Sequence, residues 1–295
     1  MSVLAGPVPA SVPSTMCALT PTPRRLVFVL AGQSNMAGRG SLEAAAPAAG
    51  ADPRIAFFSQ ATNAWEPAVH PLHADKPAKA GVGPGLAFAH ELLRLAPQLT
   101  PTIGLVPCAF GGSELARWEE GGDLYATTVA RVQRCQAEGD ELGGLLWHQG
   151  ESDSGEAALA ASHGARTVAA LQRLRTALGQ PALPVVVGEL GYWLDGADPR
   201  FTHAAAVNAG LVASPAALPA AACVSAHGLS HRGDRLHFGS GAAEELGRRY
   251  AHAWLQLARP GEQLCAAPPP PPPFGFPSEA SARDAAAATE DAVID

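Results

Sequence analysis

Paired cysteines are missing from this sequence. Its five cysteines, Cys17, Cys108, Cys135, Cys223 and Cys265, are odd in number, widely spaced and form no Cys-x-x-Cys, which argues against a disulfide framework or a zinc ribbon. An Asn-x-Ser/Thr sequon is absent too, so nothing points to glycosylation on a secretory route. No apolar run approaches the ~18 to 20 residues needed to cross a bilayer. The first 25 residues hold five prolines and no basic n-region, unlike a secretory signal. The 20 basic residues are scattered against 27 acidic ones, for a formal charge of −7. With no basic run to track phosphates, nucleic acid is not an expected partner. Together these absences favour a cytoplasmic protein. The lack of acidic residues before Glu43 also suits plastid import, although the segment is not Arg-rich, and unconventional secretion is a further route.

What the chain does have is apolar material for one sizeable core: 47% of its 295 residues are hydrophobic. Residues 1–24 are rich in Pro, Ala and Ser. The far end carries six consecutive prolines, Pro268 to Pro273, then an Ala-rich acidic tail. Composition predicts flexible appendages at 1–24 and 261–295 around one domain at 25–260.

Within that domain short apolar runs alternate with longer amphipathic ones. Strands are predicted at Leu26 to Ala31, Ile55 to Phe58, Thr102 to Cys108, Gly144 to His148, Pro184 to Leu190 and Ala220 to Ser225. Helices are predicted at Gly85 to Leu95, Leu124 to Ala137, Glu156 to Leu178, Thr202 to Val212 and Ser240 to Leu257. The alternation implies an α/β fold with a mainly parallel sheet covered on both faces. In such sheets ligands bind beyond the carboxyl ends of the strands, so chemistry is to be sought just after each strand.

The first strand runs into Gly32-Gln33-Ser34-Asn35-Met36-Ala37-Gly38, which puts a serine at a strand-to-helix turn flanked by small residues. A hydroxyl there is exposed, and its own N–H lies at a helix start where a developing oxyanion needs a donor. An N-cap serine has the same local sequence. A serine nucleophile also needs a base and a carboxylate to orient that base. Asp234-Arg235-Leu236-His237 offers both one turn apart, after the last strand. His227, His231, Asp234 and His237 are also chemically acceptable zinc ligands, though their spacing matches no zinc motif.

Other strand ends are polar as well. Gly111 and Gly112 let a backbone N–H approach a substrate oxygen, or serve a tight turn. The Gln149 amide suits oxyanion donation and Glu151 can orient neighbours or cap a helix. Gln33 and Asn35 can hold the serine loop, Trp118 can line a sugar site or pack, and Trp147 sits in an apolar strand as core.

The blocks Val27 to Gly38 (VFVLAGQSNMAG), Gly104 to Trp118 (GLVPCAFGGSELARW), Leu145 to Asp153 (LLWHQGESD) and Asp234 to Phe238 (DRLHF), in this order, resemble the SGNH hydrolase superfamily. They are most similar to its sialate O-acetylesterase-like and plant-type carbohydrate acetylesterases, carbohydrate esterase family six. The resemblance covers roughly residues 24 to 258. It implies a three-layer flavodoxin-like sandwich with Ser34 as nucleophile, His237 as base and Asp234 as its orienting group. It also implies oxyanion donors from the Ser34 backbone, from Gly112 or Gly111, and from the Gln149 side chain. The expected activity is removal of acetyl groups from carbohydrate, with no metal or organic cofactor. The alternatives are an esterase or thioesterase for longer acyl chains, and a carbohydrate-binding protein without turnover.

Overall fold

A computed structural model describes residues 24–44, 51–98, 102–137, 139–194 and 198–259. The appendages expected at 1–24 and 261–295 lie outside the described residues, apart from Arg24. Seven strands form one sheet in the order β3-β2-β4-β1-β5-β6-β7. They are β1 (Leu26–Gly32), β2 (Ile55–Phe58), β3 (Trp65–Pro67), β4 (Ile103–Pro107), β5 (Glu141–His148), β6 (Val185–Gly188) and β7 (Ala221–Val224). All neighbouring pairs are parallel except β2 with β3. The helices are α1 (Ser34–Ala37), α2 (Pro84–Leu95), α3 (Asp123–Ala137), α4 (Ala157–Ala177), α5 (Ala204–Ala213) and α6 (Ser240–Ala258).

The strand sequences explain why both faces are covered. Along β1, Phe28 and Leu30 point into a core shared with α2 and α6, while Val27, Val29 and Ala31 point into a second core shared with α3, α4 and α5. That is the period-two alternation of a strand with no polar face. Phe28 anchors the first core, packing edge-on against Phe88 of α2 at 4.7 Å and Trp254 of α6 at 5.0 Å. Each such fully buried side chain contributes about 1.5 to 3 kcal/mol through the surface it removes from water. The three-layer α/β/α architecture is the fold class the sequence implies.

Two elements depart from the sequence reading. β3 was not expected: three residues, Trp-Glu-Pro, are too few to show a period, and the strand exists by pairing antiparallel to β2. β5 begins at Glu141, three residues before the expected start, because Gly143 and Gly144 lie where the side chains of Leu26 and Trp254 crowd the strand. Glycine reads as a strand breaker unless such close packing calls for it. Among the described residues no helix is long and apolar enough to cross a membrane.

Candidate active site

β1 lies mid-sheet between β4 and β5, and its carboxyl end is the natural place for a site. It stops at Gly32, whose φ of 127° is closed to other residues and whose added Cβ would lie 2.0 Å from the His148 carbonyl oxygen. The chain then turns into the single helical turn α1. Gln33 pins that turn to the loop after β5: its side-chain oxygen accepts from the N–H groups of Gly150 (3.2 Å) and Ser152 (3.3 Å). Ser34 follows as the first helical residue. Its backbone N–H meets no backbone acceptor among the described residues, as expected at a helix start.

The loop between β7 and α6 brings the partners across the sheet. His231 and Phe238 form an antiparallel bridge, and the Arg232 N–H donates to the His237 carbonyl at 2.9 Å. Between them Asp234 folds back on its own segment, with Oδ1 accepting the N–H groups of Leu236 (2.9 Å) and His237 (2.8 Å). Its Oδ2 lies 2.7 Å from His237 Nδ1 and also accepts from Arg232 Nε at 2.7 Å. His237 Nε2 lies 3.1 Å from Ser34 Oγ. Partial burial disfavours the Asp234 charge. The hydrogen bonds from the His237 backbone and ring, from Leu236 N–H and from Arg232 outweigh it and hold the carboxyl well below the usual carboxylate range. With Asp234 an obligate acceptor, neutral His237 carries its proton on Nδ1 and offers the Nε2 lone pair to Ser34. This arrangement can take the proton of the serine hydroxyl as the hydroxyl attacks.

Asn35, beside Ser34, reaches both sides of His237: Oδ1 accepts from Phe238 N–H at 3.1 Å and Nδ2 donates to the Leu236 carbonyl at 3.3 Å. The same Nδ2 donates to Glu151 Oε1 at 2.5 Å. Glu151 is buried, which raises the cost of its charge, yet the nearby His148 and the Asn35 amide hold its pKa below the ordinary value. His148 Nε2 approaches Glu151 to 3.5 Å without the alignment of a hydrogen bond.

Three expected roles need correction. Gly111 N–H donates to Asp75 Oδ2 at 2.7 Å, and Asp75 is held in turn by Arg39 at 2.6 Å, so that N–H is not free for a substrate oxygen. Gly112, exposed with φ of 75°, donates its N–H to no backbone acceptor among the described residues and is the remaining candidate of the pair. Gln149 is buried and its amide serves internal acceptors: Asp153 Oδ2 at 2.6 Å, the Ser113 carbonyl at 3.1 Å and Gln33 Oε1 at 3.4 Å. Its own oxygen faces His163 Nε2 at 2.8 Å. The geometry makes Gln149 the centre of a buried scaffold and not an oxyanion donor. Trp118 is wholly buried, stacked edge-on with Trp147 at 5.2 Å and donating to Ser113 Oγ at 3.2 Å. It cannot offer its face to a sugar; Trp147 is core, as expected.

Sequence reasoning missed Asp75 and Arg39, which grip Gly111, and Asp153 and His163, which grip Gln149. Burial pushes the His163 imidazole down to about 4, so it is neutral and donates from Nε2. A histidine inside a long helix carries no sequence signal for that role. The alternative zinc set does not assemble: among the described residues no three His, Cys, Asp or Glu side chains are disposed to hold a metal. His231 Nδ1 accepts instead from Gly233 N–H at 2.9 Å. Beside Asp234 a cavity of about 720 Å³ opens between Ser41, Leu42, Glu43, Lys79 and Arg232.

A family model for carbohydrate esterases, sialic acid-specific acetylesterases, matches residues 24–256. The chain belongs to that family. As a member it is a carboxylic ester hydrolase, and the four blocks that carried the resemblance all lie within the matched span. This esterase is 34% identical over 253 residues to a probable carbohydrate esterase of Arabidopsis thaliana, covering 80% of this chain and 92% of that one. An X-ray structure of an Arabidopsis thaliana protein superposes with a TM-score of 0.72 at 33% identity, over 79% of this chain and 99% of that chain. A carbohydrate acetylesterase from Xanthomonas citri shares the fold with a TM-score of 0.60 at 24% identity, over 79% of this chain and 56% of that one.

Proposed function

We propose that this esterase removes O-acetyl groups from carbohydrate through an acyl-enzyme on Ser34. The observation that carries the reading is the unbroken line from Asp234 through His237 to Ser34, with contacts of 2.7 and 3.1 Å. In the first half-reaction Ser34 Oγ attacks the acetyl carbonyl and His237 Nε2 takes its proton. The tetrahedral oxyanion is met by the N–H groups of Ser34 and Gly112. His237 then returns the proton to the departing sugar oxygen, leaving acetyl-Ser34 and a free hydroxyl on the sugar. In the second half-reaction water gives a proton to His237 as it attacks the acetyl-enzyme, and His237 returns that proton to Ser34 Oγ as the acyl bond breaks and acetate leaves. The ionised Asp234 stabilises the imidazolium in both halves. No step draws on a metal or an organic cofactor.

Carbohydrate as the acyl carrier rests on the family and on the relatives named above. The test measures acetate released from acetylated xylan, acetylated pectin and O-acetylated sialic acid, with 4-nitrophenyl acetate against longer 4-nitrophenyl esters. Acetate release from at least one sugar, a preference for the acetyl ester and abolition in Ser34→Ala are expected. Faster hydrolysis of long-chain esters, or near-parent acetate release by Ser34→Ala, would overturn the reading.

A further inference from the structure

Ser34 and Asn35 are neighbours in the chain, whereas His237 comes from a loop 203 positions later. His237 itself is fastened to its surroundings at both flanks by one side chain. Asn35 accepts from the N–H of the residue after it and donates to the carbonyl of the residue before it. The nucleophile and the clamp on the base therefore ride on the same rigid turn. A primary amide is needed for this, because the two flanks demand an acceptor and a donor from one side chain.

An amide can also be turned end for end, and flipped it would present the wrong group to each flank. What forbids the flip is Glu151. Its buried carboxylate is an acceptor only, so the atom of Asn35 that faces it has to be nitrogen. Glu151 does not contact His237. The His237 ring nitrogens are taken by Asp234 and Ser34. We infer that Asn35 is a positioning residue that sets the distance between Ser34 and His237, and that Glu151 acts through it by fixing the orientation of its amide. This rests on the proposed roles of Ser34 and His237. It assigns Glu151, a carboxylate one side chain away from the nucleophile, no part in proton transfer.

The experiment uses the full chain and 4-nitrophenyl acetate with three variants: Asn35→Asp, Glu151→Gln and the two combined. Asn35→Asp keeps the shape but sets a second carboxylate against Glu151 and against the Leu236 carbonyl. A displacement of about 1 Å at a base costs on the order of 100-fold, so kcat should fall about 10- to 100-fold with KM little changed. Labelling of Ser34 by a phosphonate should slow in parallel. Glu151→Gln keeps an acceptor toward Asn35 and should lose less than about 10-fold. In the double variant the introduced glutamine donates to the introduced aspartate, and kcat should recover part of what Asn35→Asp lost. A purely structural role predicts losses in melting temperature that add in the double variant, with no recovery of kcat. A double variant as slow as Asn35→Asp, or one that does not fold, overturns the inference. So does a Glu151→Gln loss as large as that of Ser34→Ala. If Ser34→Ala retained activity, the underlying triad reading would fail instead, which separates the two.

Discussion

Gln149 Nε2 donates to Asp153 Oδ2 at 2.6 Å, deep beneath the nucleophile turn. Burial raises the Asp153 pKa above its ordinary value, against the opposing pull of that bond, of Leu115 N–H and of the Arg166 charge. The pair is a buried joint between the loops after β4 and β5, because Gln149 also reaches the Ser113 carbonyl.

Gln149→Ala should therefore act on stability before rate. It leaves the Ser113 carbonyl and His163 Nε2 without their partner, and each buried unpaired group costs about 1 to 3 kcal/mol. A loss on the order of 3 kcal/mol corresponds to a melting temperature lower by about 6 to 12 °C in a domain of this size. The kcat of the folded variant should drop less than about 10-fold. Loss of an oxyanion donor costs about 100- to 1000-fold in kcat with KM spared, and that pattern in an undiminished fold would restore Gln149 to the oxyanion role.

Asp234→Asn keeps the shape of the side chain and reverses one contact. The two backbone N–H groups at Oδ1 hold the amide oxygen on their side, so the new NH2 faces His237 Nδ1 and Arg232. A donor there favours the tautomer with its proton on Nε2, which has no lone pair for Ser34. A comparable change in a serine protease triad costs about 10⁴-fold in kcat, and a similar loss is expected in acetate release. A variant within about 10-fold of the parent would mean that Asp234 does not orient the base.

Acid should unfold the protein earlier than its carboxylates alone require. Burial lowers His70, His73 and His163 each to about 4, from an ordinary 6.5. Between those values the unfolded chain binds more protons than the folded one, so stability rises with pH across that window and is lost as pH falls from about 6.5 to about 4. The lowered carboxyls of Asp75, Glu151 and Asp234 add a further loss below their ordinary values. Each histidine contributes on the order of 3 kcal/mol, so the three together are comparable to the whole stability of an ordinary domain. Melting temperature followed from pH 8 to pH 4 should fall steadily below about pH 6.5; a flat profile down to pH 5 would count against neutral burial of these rings.

Two glycines of the site should respond oppositely to the same change. Gly32→Ala forces a Cβ to 2.0 Å from the His148 carbonyl oxygen at φ of 127°, and no folded protein is expected. Gly112→Ala meets only Lys76 Nζ, at 3.6 Å. Its cost is the left-handed backbone, about 1 to 2 kcal/mol, and it should fold. Soluble expression and circular dichroism of the two variants check this; a well-folded Gly32→Ala would refute the contact.

The three residues proposed as a triad could be singled out because each sits in a short block at a strand end, where apolar runs on either side announce the position. Ser34 follows β1, and Asp234 and His237 fall between β7 and α6. The partners of the other expected residues were not legible. Gly111 is withdrawn from the substrate by Asp75, 36 positions earlier in irregular chain. Gln149 is claimed by His163, 14 positions later on a helix face that looks like any other. A donor's type can be read from a sequence, but what it donates to depends on which acceptor the fold brings nearest. Trp118 failed for a related reason, since an aromatic after a glycine pair suits a binding platform and a core plug equally well.

The 203 positions between Ser34 and His237 also bear on when during synthesis the protein becomes active. Ser34 is translated with the first strand, whereas His237, its proposed base, follows the seventh strand and precedes α6. No shorter nascent chain holds both halves of the site. Contacts of such long separation form late and slowly, so the first release of acetate would mark the closing of the whole sheet, and onset of activity would serve as a clock for complete folding.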